Sequence, residues 1–359
     1  MAETLLIAGA QREQWLAAVQ ACLRFDFYHL PDYHALAIES PRDEALLFVH
    51  RAGEYLIALP LILRRVTEVP GLEEAPGHLR DATSVYGYTG PLASHETLPR
   101  EFIAQAQAAL RNALLSLGAV AVFSRLHPLL GQAHLLAGLG DISTVGQTVA
   151  IDLSLSPDTQ RSQYRENHTR GINKLQRLGI QCIDDTGFQH LDAFAAIYLE
   201  TMARVAASDA YLFAGDYFER FIRMQGCEVR LFVCLAEGEP ICGGLFVLCN
   251  GIVQYHLGGT RDDAIKLAPS KLLFETVRVW ANQRGARAFH LGGGLGARDD
   301  SLFHFKSGFS HWRLDFRVWR WICDPPQYAD LCRQRFAHTS PNTDLSSTEF
   351  FPLYRLPGL

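Results

Sequence analysis

Lysine is scarce in this chain: of 33 basic side chains only Lys174, Lys266, Lys271 and Lys306 are lysines, an imbalance that an arginine-rich coding bias largely accounts for. Also missing is any run of about 18 uncharged apolar residues, the length a membrane span needs. The N-terminus lacks a basic start followed by an apolar run, so no signal peptide is read and a cytoplasmic protein is expected. The eight cysteines include no C-x-x-C and sit mostly in apolar stretches such as Leu231-Phe-Val-Cys-Leu235, which reads as reduced core thiols. Fourteen histidines supply neither H-x-x-x-H nor H-E-x-x-H, and His304 and His311 lack a partner at ligand spacing, which argues against a metal site. Without a G-x-S-x-G elbow a serine hydrolase is poorly supported.

What is present is enough for two cores. A chain of 359 residues exceeds the roughly 250 at which a single core stops growing. With 48% hydrophobic, 11% aromatic and 20% charged residues, apolar burial offsets the entropy of ordering, which excludes disorder, collagen and coiled coil. A net charge of −5 excludes a generally cationic nucleic-acid binder, so no DNA partner is expected and any phosphate contact must be local.

An internal echo organises the chain. Residues 47–63 and 231–247 both read as strand, tight turn, strand, and at a constant offset of 184 they match at Leu47/Leu231, Phe48/Phe232, Val49/Val233, Ala52/Ala236, Ile57/Ile241 and Leu61/Leu245. Duplication of one α/β unit explains this; chance likeness of two apolar hairpins is the competing reading. Periodicity predicts helices over 12–23 and 99–117, the latter closed by Gly118 and followed by a strand over 119–123. A further helix is predicted from Ser156-Pro157-Asp158 toward Leu178, and another over 270–284 leading into a strand at 286–291.

The most informative segment runs from Leu291 to Phe309. Gly292, Gly293, Gly294 and Gly296 follow a strand, Asp299, Asp300 and Ser301 offer helix caps, and the short helix they open carries Lys306 and ends at Gly308. Backbone amides and an ammonium there would converge on negative charge; a glycine turn with a surface lysine is the alternative. The spacing is neither G-x-G-x-x-G nor a Walker loop, so dinucleotide and P-loop binding are not supported. Upstream, Arg161, Arg165, Arg170, Lys174 and Arg177 face a single acid, Glu166. Residues 170, 174 and 177 share one helix face, which is either simply solvated or meets phosphate. The loop 81–92, with Tyr86 and Tyr88, serves packing or a substrate wall equally well.

Together Tyr86-Gly-Tyr-Thr-Gly-Pro91, Tyr164-Arg-Glu-Asn-His-Thr-Arg170 with Ile172-Asn-Lys174, the Gly292-Gly-Gly294 loop with Phe305-Lys306, and Phe350-Phe-Pro-Leu-Tyr-Arg355 resemble, in that order, the FemABX-like branch of the GNAT superfamily. The likeness spans roughly residues 80 to 355, and its most specific part is Phe305-Lys306. It implies an α/β fold of tandem GNAT-like domains, each a mixed twisted sheet flanked by helices: a first domain over 1–150, completed by the tail 326–359, and a second over 151–325. It implies aminoacyl or acyl transfer to an amine, on a peptidoglycan precursor or a small metabolite, with Lys306 at the active site. The implied substrate contacts are Tyr86, Tyr88, Arg170, Lys174, Gly293, Gly294 and Phe305, with Arg204 matched to a phosphate-binding arginine. No tightly bound cofactor is expected; the donor is a co-substrate, aminoacyl-tRNA or acyl-CoA. Two departures bear on the donor. The coiled-coil arm of larger members has no counterpart, and the acetyl-CoA signature Q/R-x-x-G-x-G/A is absent from Gly258-Gly-Thr-Arg-Asp-Asp-Ala-Ile-Lys-Leu-Ala-Pro-Ser270, whose acidic pair would repel phosphates. These favour aminoacyl-tRNA over acyl-CoA. A non-catalytic tRNA-binding member is the alternative from another class. As helix caps, Asp299 and Asp300 would have their oxygens engaged, which leaves a water chain an equal candidate for general base.

Overall fold

The computed structural model describes residues 2–205, 207, 212–213, 216–337 and 349–357. The chain divides into two compact units: Met1–Val145 together with Phe316–Leu359, and Gly146–Asp315. The divisions thus fall at 145/146 and 315/316, where the sequence suggests 150/151 and 325/326. Of the tail, residues 338–348, 358 and 359 lie outside the described residues.

In the first unit the chain runs through β1 (Ala2–Ala8), α1 (Arg12–Gln20), α2 (Pro31–Leu36), β2 (Glu44–Ala52), β3 (Tyr55–Arg65), β4 (Arg80–Thr83), β5 (Leu92–Ala93), α3 (Arg100–Ser116) and β6 (Ala119–Leu126). β1, β2, β3 and β4 pair antiparallel in that order, and α3 crosses over so that β6 lies parallel to β4. Leu110 and Leu114 of α3 bury against Phe48, Leu59, Leu61 and Val122 of the strands. Helix α1 ends at Gln20, short of Leu23, because the chain turns there and Leu23 N donates to Ala93 O at 2.8 Å.

The second unit contains β7 (Asp141–Asp152, which begins before the division), α4 (Pro157–Ser162), α5 (Glu166–Arg177), β8 (Gln181–Asp184), α6 (Leu191–Arg204), α7 (Tyr217–Ile222), β9 (Glu228–Ala236), β10 (Glu239–Cys249), β11 (Ile252–Thr260), α8 (Ser270–Gln283), β12 (Ala288–Gly292) and α9 (Ser301–Lys306). β8, β9, β10 and β11 are antiparallel neighbours, α8 crosses over to place β12 parallel to β11, and β7 closes antiparallel on β12. The first unit obtains the corresponding sixth strand from the far end of the chain: β13 (Trp312–Ile322) pairs antiparallel with β6 through Arg317–Ile322 and is followed by α10 (Pro325–Phe336).

The two units therefore share strand order and direction. Shifted by 184, β2 and β3 coincide end to end with β9 and β10, which is what duplication requires. Both units are mixed α/β, each a mixed sheet with accompanying helices, as the motifs imply.

One helix reads differently from its sequence. The stretch from Ser156 toward Leu178 is two helices, broken where Arg165 is extended at ψ 143°. The break turns Tyr164 inward, with its hydroxyl donating to Glu275 Oε2 at 2.8 Å, while Arg165 N donates to Gly308 O at 2.8 Å.

The described tail is clamped in the first unit. Tyr354 is fully buried beside Val66, Leu79 and Leu331, and the buried carboxylate of Asp81 accepts from Arg64 at 2.7 Å, from Tyr354 at 3.3 Å and from Arg355.

Candidate functional site

Helix α8 is the axis of the second unit, burying Leu272, Leu273, Phe274, Val277, Trp280 and Ala281. It also buries Glu275, which Arg278 meets with a fork at 2.9 and 3.0 Å and which Tyr164 and Arg161 join. Burial works against the Glu275 charge, but these donors outweigh it and hold the carboxyl below its ordinary range. Arg161 is thereby spent on structure rather than on a ligand.

From β12 the chain enters the glycine loop. Gly292 takes φ 78°, open to glycine at little cost. A Cβ on Gly293 would stand 2.8 Å from Gln147 O, and one on Gly294 would overlap Arg298 O and the Asp300 carboxylate. Gly293 is thus required by the close approach of β7, and Gly294 by packing within the loop. Asp300 fixes it, capping α9 through Phe303 N at 2.9 Å and accepting from Leu295 N at 2.9 Å. Both carboxylate oxygens are engaged as caps, and Asp299 is exposed.

Lys306, in the last turn of α9, points inward and is only 6% exposed. Its Nζ donates to Gly293 O at 2.7 Å and lies 5.5 Å from the centre of the Tyr255 ring. Burial pulls its pKa down from the ordinary 10.5 to about 7, with the Asp300 charge acting in the opposite direction. This is a buried amine poised near neutrality, not a surface lysine. Phe305 beside it packs against Phe274 and Phe309 at 5.7 and 5.4 Å.

His168, which the sequence does not single out, ties α5 to α9. Its Nε2–H donates to Phe305 O at 2.9 Å, its ring meets Phe309 edge-on at 4.6 Å, and a Cβ on Gly308 would overlap it. Burial lowers its pKa to about 4, so the ring is neutral. The only sequence signal is its place in the Tyr164–Arg170 motif.

The basic stretch divides by role. Arg165 donates to His304 O at 2.8 Å, while Arg170, Lys174 and Arg177 are exposed opposite the buried His168, Ile172 and Leu175 of α5. Arg204 pairs with Asp262 and donates to Thr260 O at 3.1 Å, and Asp263 pairs with Arg261 at 2.7 Å. The acidic pair is therefore matched by arginines, which corrects the expectation that its charge would repel phosphate. Tyr86 and Tyr88 belong to the first unit: Tyr86 O accepts from Tyr33 at 3.0 Å, and Tyr88 packs on Tyr28 and Phe316. Among the described residues no cluster of three His, Cys, Asp or Glu side chains could hold a metal, and no helix is long and apolar enough to cross a membrane.

Residues 162–307, which carry Lys306, His168 and the basic helix, match the profile of the acetyltransferase (GNAT) domain. The match lies within the second unit and covers most of it. In fold, the chain is similar to the crystal structure of FemX, with a TM-score of 0.65 at 14% identity over 91% of this chain and 99% of that one. It is also similar to the C-terminal domain of a protein assigned as a lysylphosphatidylglycerol synthetase from Agrobacterium fabrum, with a TM-score of 0.52 at 12% identity over 86% and 92% of the two chains. No curated protein matches it. The likeness to FemX is one of fold, and the stretch that matches the GNAT domain places its most unusual side chain, Lys306, on the element following the glycine loop.

Proposed function

We propose that the GNAT domain transfers an aminoacyl group from aminoacyl-tRNA to an amine on a peptidoglycan precursor or small metabolite, with Lys306 as the catalytic residue. The observation that carries this is a buried amine with a pKa near 7 and a backbone carbonyl as its hydrogen-bond partner, set in an acyltransferase domain. The acceptor nitrogen attacks the donor ester carbonyl, a C–N bond forms and the C–O bond to the ribose breaks. The ammonium of Lys306 stabilises the oxyanion and gives its proton to the leaving oxygen. Asp300 is held as a cap, so a water chain takes the proton from the attacking amine.

The choice of donor rests on the start of α8. Lys271 N donates to Ala268 O and Leu272 N to Pro269 O, so first-turn amides that would cradle a pyrophosphate are already engaged. The exposed face of Arg170, Lys174 and Arg177 suits a polyanionic donor, with Gly293, Gly294 and Phe305 framing Lys306. Tyr86 and Tyr88 are assigned to substrate by the family likeness.

Titration calorimetry with a charged tRNA pool and with acetyl-CoA tests the donor. Binding of the former and not the latter is expected. A Kd near 1 μM for acetyl-CoA, about −8 kcal/mol, with no response to tRNA would replace the donor by acyl-CoA. Steeply salt-dependent tRNA binding with no product by mass spectrometry would indicate a non-catalytic binder.

A further inference from the structure

Three cysteines far apart in sequence form a row across the sheet of the second unit. Cys182 of β8 stands opposite Cys234 of β9, and Cys234 opposite Cys242 of β10. Directly opposed residues of antiparallel strands point to the same face, and all three thiols meet the core beneath α8. They differ in surroundings. Cys234 is fully buried with its Sγ 3.6 Å from Pro269 O, Cys242 is buried and accepts from Thr260 at 3.4 Å, and Cys182 is part-exposed.

We propose that Cys182 and Cys234 are a redox modification site, a cross-strand dithiol that closes to a disulfide and ties strand β8 to β9. Opposed Cβ atoms lie about 4.5–5.5 Å apart and a disulfide needs about 3.5–4.5 Å, so one strand must shift by about 1 Å. β8 can do so: it is a four-residue edge strand whose residues all retain solvent exposure. β10 is held by β9 on one side and β11 on the other, which disfavours the Cys234–Cys242 bridge. The two neighbouring thiols, and then burial, push the Cys234 thiol up, so Cys182 is the entry point.

With a low-molecular-weight disulfide such as oxidised glutathione, the Cys182 thiolate attacks one sulfur, forming a mixed disulfide and releasing one glutathione thiol. Cys234 then gives up its proton and displaces the second glutathione from Cys182. One small disulfide is reduced to two thiols as two protein thiols become one disulfide, and a bridge closed under strain is readily reduced again.

The site is independent of the transferase reading, and its test needs no activity. The reduced full chain is incubated with oxidised glutathione under native conditions, alkylated, digested without reductant and analysed by mass spectrometry. A peptide pair joined through Cys182 and Cys234 is expected, with loss of two of the eight alkylatable thiols and recovery with dithiothreitol. Cys182→Ser, at a part-exposed edge, should abolish that loss, and Cys234→Ser should stop at glutathione on Cys182. A wild-type chain that leaves Cys182 reduced, halts at the mixed disulfide or links Cys234 to Cys242 overturns the proposal.

Discussion

The two units build the same six-strand framework and then treat the end of its fifth strand in opposite ways. In the first, β6 ends at Leu126, and the next residue, His127, lies 2.9 Å through Nε2 from the Asp26 carboxylate, both side chains fully buried. Asp26 also caps Phe27 N at 2.7 Å. In the second, β12 ends at Gly292, and the next residue, Gly293, offers only a carbonyl to the buried Lys306. A buried ionisable group is tolerable when its hydrogen bonds compensate for the water it gives up. Asp26 is met by a ring N–H and a backbone N–H, whereas the Lys306 amine has one carbonyl and is pulled toward neutrality by burial, within the stretch that matches the GNAT domain. Duplication preserved the scaffold while one copy kept a balanced polar cluster and the other an electrostatic strain, the usual mark of a site selected for chemistry.

Removing the strain should inactivate the protein and stabilise it. Lys306→Met is expected to lower kcat by about 10²–10³, worth about 3–4 kcal/mol of barrier. Because the folded amine titrates near 7 and the unfolded one near 10.5, the unfolded chain binds more protons between those values. The folded state thus carries the penalty in full below about pH 7 and sheds it as pH rises. The variant should therefore gain about 2 kcal/mol in urea melts at pH 7, with the gain shrinking toward pH 10. A variant that is less stable at pH 7 would show that Lys306 is not strained. In the parent protein the ammonium role requires kcat to fall as pH rises through 7; a rise would make the amine a base instead.

The opposite sign is expected in the first unit. Asp26→Ala removes the carboxylate that His127 Nε2 meets and the cap on Phe27 N, which should cost about 3 kcal/mol. A loss below about 1 kcal/mol in the same melts would mean that the two clusters do not differ as described.

His168 tests how finely Lys306 is held. His168→Ala removes the donor to Phe305 O and leaves a gap beside Gly308, so kcat should fall about tenfold with KM little changed, and His168→Gln should recover part of it. The parent loses stability as pH falls from about 6.5 toward 4, where the unfolded imidazole is protonated and the folded one is not. His168→Gln should flatten that acid limb; an unchanged limb would show that the folded imidazole is not held neutral by burial.

Much of the scaffold was legible because it follows local rules. The two hairpins were readable from alternating apolar residues around Gly-containing turns, and α3 and α8 from their apolar stripes and the glycines that stop them. What escaped depends on distant partners. The break between α4 and α5 is dictated by Glu275 and Gly308, far away in sequence, while Pro157 and Ser156 signal only where the helix begins. β13 belongs to the first unit by pairing with β6, which no periodicity reveals. At the site, Asp300 was recognisable as a cap, and Lys306 stood out through its place after the glycine loop on a capped helix and through the Phe305-Lys306 likeness. Its burial was not readable, since a six-residue helix can turn its last residue either way. The pairing of Asp262 with Arg204 and of Asp263 with Arg261 likewise reversed the electrostatic meaning of a stretch that looked purely acidic.

The smallest expected effect concerns the outer face of α5. Arg170 is 70% exposed and only loosely paired with Glu166 at 3.4 Å, and Lys174 and Arg177 lie on the same outward side. Exposed pairs of this kind contribute little to folding, so reversing the charges should leave the melts of the protein within about 0.5 kcal/mol. If the face meets a polyanion, each lost contact releases one fewer set of counterions. Lys174→Glu with Arg177→Glu should then flatten the slope of log K against log salt for tRNA by about 0.7–0.9 per contact. Net charge alone also weakens polyanion binding, so the comparison needs its partner in the first unit: Arg24→Glu with Arg100→Glu, two exposed arginines changed by the same total charge. A flattened slope in the α5 variant alone locates the contact on that helix. Equal flattening in both variants would reduce the effect to overall charge and return the α5 face to solvent.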